Sequence, residues 1–377
     1  MMTLSPFDFE LRTRIVSGEG VSAQVGELAR ELGGQRALLV TDAGIVMAGH
    51  AEKAQAALER SNVACAVFDT VQENPTTDDI DACVLAARRA DADILIALGG
   101  GSAIDTAKGA NFLLTNGRRM ADYRGDGKAT QEMLPLIAIP TTAGTGSEVQ
   151  RFALISDAET HQKMACGDVK ATPRIALLDP ELTVSCPRSV TANAGIDALA
   201  HAVETAVTRT ANPVSQMYSR EAYRLIAPHL LQVLRDPDDL KVRGAMLLGA
   251  TFAGLAIENS MLGAAHAAAN PLTARFGVVH GQAVAVMLAH IVRFNAEIPA
   301  VKSAYEELAG SVSNLLAVIE KNIDDAELPV SLSVFGIVEA DIPALAVSAA
   351  EQWTAAHNPR PVSVTDFEML YRKTLIR

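Results

Sequence analysis

The apolar positions change their pattern once along the chain. Before about residue 186 they come in short unbroken runs. "RALLVTD", "VACAVFDTV", "DILIALGGG", "LPLIAIPTT" and "IALLD" each hold at least four apolar residues in a row. Runs of that kind suit strands buried on both faces. Between them lie stretches with helical spacing, "AEKAQAALERSN" and "TTDDIDACVLAARRADA". The second opens on acidic residues that favour a helix start. Strand, helix, strand, repeated, predicts a parallel sheet covered by helices.

After "LLDPELTVSCPRSV" the texture changes. Long Ala/Leu-rich stretches follow: "TANAGIDALAHAVETAV", "SQMYSREAYRLIAPHLLQVL", "KVRGAMLLGATFAGLAI" and "GQAVAVMLAHIVRFNAEI". They read as helices. The predicted class is α/β plus all-α, with a boundary near Cys186 and Pro187: residues 1–185, then residues 186–377. A cleft between domains is a common place for a ligand.

A length of 377 residues suits two domains. Hydrophobic residues make up 49% and aromatics only 4%, so the core must be aliphatic. The net charge of −12 argues against a nucleic-acid or anionic-membrane partner, and no Lys/Arg run restores either. Cys65, Cys83, Cys166 and Cys186 are scattered, with no C-x-x-C pair, which points to reduced thiols and the cytoplasm. The start "MMTLSPFDFELRTRIV" lacks the apolar stretch of a secretory leader. No apolar run is expected to reach the ~20 residues of a membrane span. There is no internal repeat or low-complexity tract.

Two glycine loops carry candidate chemistry. In "ILIALGGGSAIDTAKG", Gly99, Gly100 and Gly101 stand between a strand and a helix, where backbone N–H groups can approach a phosphate. Ser102 and Asp105 have capping-box spacing. A plain tight turn would look the same, and this is not the G-x-G-x-x-G pattern. "IAIPTTAGTGSEV" also follows a strand and offers Thr141, Thr142, Thr145 and Ser147 around Gly144 and Gly146. Two such loops point to one extended, phosphate-bearing ligand. Asp42 ends the first of the strands named above, where an acid can hold ribose hydroxyls or simply close a turn.

In "GIDALAHAVE", Asp197 and His201 are one helical turn apart and share a face. A surface ion pair is one reading; two ligands of a metal ion is the other. His266 and His280 follow as H-x13-H. The four together suit divalent iron or zinc with positions left open for substrate, although a lone His on an Ala-rich helix is more often a core residue. His50, His161, His229 and His357 have no ligand-like neighbours and read as surface or structural.

With these residues in view, the chain resembles the iron-containing (group III) alcohol dehydrogenases. The likeness runs through "TRIVSGEGV", "LLVTDAGI", "ENPTTDDID", "GGGSAIDTAKG", "PTTAGTGSEV", "ALLDPELT", "GIDALAHAVE", "HAAANPLTARFGVVHG" and "NPRPVSVTDFEMLY", nearly the whole length. It implies a Rossmann-like, dinucleotide-binding N-terminal domain followed by a helical, metal-binding C-terminal domain. It implies Asp197, His201, His266 and His280 as the metal ligands. It implies Asp42, Asn74, Gly100, Gly101, Ser102, Thr141, Thr142, Thr145, Ser147 and Lys163 as the NAD site, with Leu182 a looser match. Iron(II) is the expected metal, zinc would also fit, and NAD is expected over NADP because Asp42 would repel a 2′-phosphate.

Two places depart from the family pattern. A His often found one turn after the third ligand is Asn270 here, and "GTGSEV" is followed by Gln150. Asn270 precedes Pro271, and Asn-Pro is itself a turn signal. The stretch around it also resembles the branch that reduces phosphonate-bearing aldehydes. The implied reaction is hydride transfer between nicotinamide and a small alcohol or aldehyde, with the ion as Lewis acid. A dehydroquinate-synthase-like lyase would need basic residues clustered near the ligand motifs, and none are seen. A non-catalytic binding protein would not need both loops and all four ligands. The resemblance also implies a homo-oligomer, a dimer or larger.

Overall fold

The structure, a computed structural model, describes residues 6–160 and 162–375. His161 and the first five residues of the N-terminal stretch lie outside them. Two compact units divide the chain. One spans Glu10–Cys186; the other runs from Pro187 onward together with the described residues before Glu10.

In the first unit the strands and helices alternate: β1 (Arg14–Ser17), α1 (Val25–Glu31), β2 (Arg36–Val40), α2 (Ala43–Met47), α3 (His50–Arg60), β3 (Ala64–Phe68), α4 (Thr77–Arg89), β4 (Ile94–Gly99) and α5 (Gly101–Asn116). Then come β5 (Gly125–Asp126), β6 (Leu136–Pro140), β7 (Phe152–Ser156), β8 (Lys163–Gly167) and β9 (Ile175–Leu178). Among the described residues, six strands form one parallel sheet in the order β1-β9-β6-β4-β2-β3. Every residue of β4, β6 and β9 is buried, as the unbroken apolar runs predict. Along β2, Leu38 and Val40 enter one core with α4 and α5, while Ala37 and Leu39 enter another with α1 and α3. Such alternation follows from the two-residue period of a strand. The chain leaves β2 to one side through β3 and returns on the other as β4. That reversal opens a crevice at the strands' carboxyl ends, the usual ligand position in open α/β sheets.

A second sheet, β5-β8-β7, was not expected from the sequence. Its strands are short or only half-buried, so their apolar runs are weak.

The second unit is helical: α6 (Arg188–Thr205), α7 (Pro213–Arg235), α8 (Leu240–Ser260), α9 (Ala264–Phe276), α10 (His280–Asn295), α11 (Pro299–Ala309), α12 (Val312–Asp325), α13 (Ile342–Ala350) and α14 (Val364–Leu375). Alanine lets these helices pack closely. An added Cβ at Gly281 would lie 2.3 Å from the Asn193 carbonyl oxygen, so α10 meets the backbone of α6. The Tyr371 hydroxyl of α14 donates to the Ala268 carbonyl of α9 at 2.7 Å.

Two expectations fail here. Helix α8 does have the length and apolarity of a membrane span, contrary to the reading of the sequence. Its 18-residue apolar window is 67% buried within the fold, as in a core helix. Asn270-Pro271 does not make a turn: α9 runs through it to Phe276. Proline removes one intrahelical hydrogen bond, but packing against α10 and α13 holds the helix together.

Candidate metal centre and nucleotide loops

The carboxyl ends of β2, β4 and β6 bring three sequence motifs side by side. Val40 is registered against Ala97, and Gly99 against Pro140. Asp42 caps α2, its Oδ1 accepting from the Ile45 N–H at 3.1 Å. The turn reading of Asp42 is therefore realised on one oxygen. Its other oxygen faces Gly99, where an added Cβ would come within 3.4 Å of it. Gly99 has φ +155°, and an added Cβ would also meet that of Ala103 at 2.8 Å, so glycine is required.

The two loops lie against each other. An added Cβ at Gly101 would meet Thr145 Cγ2 at 2.7 Å, and one at Gly100 would meet Thr142 Oγ1 at 3.4 Å. The Thr141 N–H donates to the Gly99 carbonyl at 3.0 Å. The Asn74 N–H donates to Ser102 Oγ at 3.3 Å, and Lys163 Nζ donates to Asn74 Oδ1 at 3.1 Å. Asp42, Asn74, Gly99, Gly100, Gly101, Ser102, Thr141, Thr142, Thr145 and Lys163 are thereby linked at one rim.

The capping box read from Ser102 and Asp105 is not formed. Gly100 is the N-cap of α5, with no side-chain cap. The glycines allow the helix to start earlier, which leaves its positive end open to an anion. Asp105 is buried below the loop. It accepts from Ser147 Oγ at 2.7 Å and from the Leu154 N–H at 3.1 Å. Burial raises its pKa, against the pull of Lys108 and of these hydrogen bonds. Lys108 is fully buried, and its Nζ donates to the Ser147 carbonyl at 2.6 Å, to Ser147 Oγ at 2.8 Å and to the Phe152 carbonyl at 3.0 Å. The Ser147 hydroxyl is thus engaged from below. Leu182 is buried in the core with Leu98 and Ile139 and packs there.

In the helical unit, Asp197, His201 and His266 are buried with ligand atoms within 4.8 Å of one another. His280 Nε2 joins them. From Asp197 Oδ1 the Nε2 atoms of His266, His201 and His280 lie 3.1, 3.4 and 3.7 Å away. The rings of His201 and His266 stack with centroids 4.8 Å apart. Donor atoms on a four-coordinate ion at about 2.1 Å stand about 3.4 Å apart, so the spacing and the mixed N/O donors fit a divalent transition metal. Asp197 and His201 come from α6, His266 from the first turn of α9, and His280 is the first residue of α10.

Glu204 went unread in the sequence. It lies seven residues after Asp197 and three after His201, hence on the same helical face. Its Oε2 is hydrogen-bonded to His266 Nδ1, and its Oε1 accepts from the Ala265 N–H at 2.7 Å. Burial would lower the His266 pKa, but Glu204 and Asp197 outweigh it and push it up to about 10. Burial would raise that of Asp197, but the imidazoles of His201, His266 and His280 hold it well below the carboxylate range. Two buried carboxylates beside three imidazoles suit a cation.

His50 is buried, its Nε2 2.8 Å from Ser185 Oγ; His229 bonds the Leu225 carbonyl and His357 meets Thr210, all structural arrangements. Asn270 sits one turn beyond His266, and its Nδ2 donates to Gln352 Oε1 at 3.1 Å.

Two family models cover the chain. "Iron-containing alcohol dehydrogenase" matches residues 12–180, and "Fe-containing alcohol dehydrogenase family, C-terminal" matches residues 191–375. The chain belongs to the iron-containing alcohol dehydrogenases. It is an oxidoreductase that passes hydride between NAD(H) and an alcohol or aldehyde, with a divalent metal at work. The NAD-dependent methanol dehydrogenase of Bacillus methanolicus is 32% identical over 371 residues, 96% of this chain and 97% of that one. The crystal structure of a 1,3-propanediol oxidoreductase superposes with a TM-score of 0.95 at 32% identity, covering 98% of this chain and all of the other. A sulfoacetaldehyde reductase from Bifidobacterium kashiwanohense, solved with NAD+, superposes at 0.90 with 26% identity, covering 99% of each.

Proposed function

We propose that Asp197, His201, His266 and His280 hold iron(II), that the linked glycine loops hold NAD(H), and that the enzyme works chiefly as a reductase of small aldehydes. The convergence of three Nε2 atoms on Asp197 Oδ1 carries the metal assignment. When bound, the ion supplies Lewis acidity to the substrate oxygen. The open N-terminus of α5 receives the pyrophosphate, and the free oxygen of Asp42 receives the ribose hydroxyls.

Asn270 supports this direction. Oxidation of an alcohol must deliver a proton to a base. An amide does not titrate near neutral pH, so Asn270 can orient a water but cannot take that proton. Its contact with Gln352 is amide to amide, and Gln352 in turn donates to the Ser348 carbonyl at 3.3 Å. Neither residue is a base. Reduction draws the same proton from water, which at neutral pH is always at hand, whereas oxidation must hand it to the scarce hydroxide.

A second reading, an aldehyde bearing a phosphonate, sulfonate or other acidic group, is favoured by the sequence around Asn270 and by the likeness to the sulfoacetaldehyde reductase. Under either reading we place the enzyme in the cytoplasm, as a dimer or larger homo-oligomer; among the described residues its cysteines form no disulfide.

The test is a kcat/KM screen of short aldehydes, neutral and acidic, with NADH and NADPH, beside alcohol oxidation at pH 7. Reduction with NADH should dominate. Faster oxidation at pH 7, or a preference for NADPH, overturns the reading. A parallel metal assay on His280→Ala should find reduced metal and reduced turnover.

A further inference from the structure

Helix α9 starts in an unusual way. Its N-cap is Gly263, with no side-chain cap. The first N–H groups of a helix need acceptors from elsewhere. Here two other segments supply them. Asn358 Oδ1 accepts from the Ala264 N–H at 3.1 Å, and Glu204 Oε1 accepts from the Ala265 N–H at 2.7 Å. Gly263 makes room: an added Cβ would stand 3.0 Å from Asn358 Oδ1 and 3.1 Å from Glu204 Oε1. Asn358 is itself fixed by Asn295, with which it exchanges two amide hydrogen bonds at 2.8 and 3.1 Å. The next residue along α9 is His266, and the second oxygen of Glu204 meets its Nδ1.

We propose that Glu204 is a positioning residue for the metal centre: it caps α9 and, with the same carboxylate, keeps a proton of His266 on Nδ1, so that the proton given up on metal binding is the one on Nε2, beside Asp197. This rests on the assignment of His266 as a ligand. A carboxylate only accepts, so both hydrogen bonds require donors: the Ala265 N–H, which is always one, and a protonated Nδ1. Partners of this kind fix the tautomer and aim of a ligating imidazole. Burial of Glu204 makes the arrangement hard to replace, because no water stands in for the lost acceptor.

Glu204→Gln tests it with nearly unchanged shape. The Ala265 N–H claims the amide oxygen. The amide NH2 then faces Nδ1, which has to give up its proton to Nε2, and a protonated Nε2 cannot ligate. With metal-stripped enzyme, Co2+ affinity measured by chelator competition should fall roughly ten- to a hundredfold. Asn358→Ala disturbs the same helix start without touching His266. It should lower thermal stability yet leave the tautomer as it is. Histidine-selective 15N NMR of the Zn2+-loaded wild type gives a readout that needs no variant: His266 should show a protonated Nδ1 and a metal-shifted Nε2. If no Zn2+-dependent shift of His266 Nε2 occurs, the ligand assignment itself fails. If Nε2 shifts but Nδ1 carries no proton, or if Glu204→Gln binds Co2+ as tightly as wild type, the role of Glu204 is overturned.

Discussion

Asp42 uses its two carboxylate oxygens differently. One caps α2, and the other faces Gly99 at the rim of the loops. A 2′-phosphate placed there would meet a like charge. Asp42→Gly should raise the ratio of NADPH to NADH kcat/KM by about tenfold, equivalent to about 1.4 kcal/mol of repulsion removed. Steady-state kinetics with both cofactors checks it, and an unchanged ratio would place the ribose elsewhere. Asn270→His addresses the missing base. General-base assistance brings roughly 10²–10⁴-fold, so even a badly aimed imidazole should speed alcohol oxidation at pH 7 severalfold. The sign is fixed by the chemistry: only the neutral ring accepts a proton, so the rate should rise with pH through about 6.5. A kcat–pH profile of oxidation that is the same in both proteins would remove position 270 from the proton path.

At the scale of elements, the glycine loops stand on α5 and on what α5 buries. Gly101→Val would drive a side chain into Thr145. It should raise the KM for NADH several times while the folded far-UV spectrum persists. Lys108 braces the second loop from beneath through three oxygens. Lys108→Met leaves those acceptors and Asp105 without their cation, a loss of about 3–5 kcal/mol for breaking a buried charge arrangement, visible as a lower thermal midpoint. The sequence was legible wherever one element held a whole signal. Buried strands announced themselves as apolar runs, and Asp197 with His201 as a pair on one helix. It was not legible where the signal is split between elements. Glu204 matters because α9 begins beside it, and nothing in "AHAVE" says where α9 begins. Ser102 was read as a cap because local spacing allows it, but three glycines let the backbone choose an earlier start. Asn270-Pro271 is a turn signal because propensity is local, and tertiary packing overrides it.

On the scale of the whole molecule, each compact unit keeps its own candidate chemistry. The four metal donors all belong to the helical unit and arrive on three separate helices, so an ion that binds them joins α6, α9 and α10. Metal removal should therefore lower thermal stability, by about 2.7 kcal/mol when compared with enzyme at free metal a hundred times its Kd. Calorimetry with and without chelator measures this, and an unchanged midpoint would mean that the ion is held elsewhere. The hydrogen bond from Tyr371 to Ala268 gives this arrangement a history as well as a shape. A chain is made from its N-terminus, and domains tend to fold as they emerge. All the loop residues that would take nucleotide precede Asp197, so they leave the ribosome before any metal donor. The helix that carries His266 then waits for α14, 103 residues further along, for a buried brace. The cation centre is therefore expected to mature after the nucleotide loops. Nascent chains arrested ahead of α14 are expected to retain NAD+ while failing to retain Co2+, so that the ion is captured after the nucleotide loops have formed.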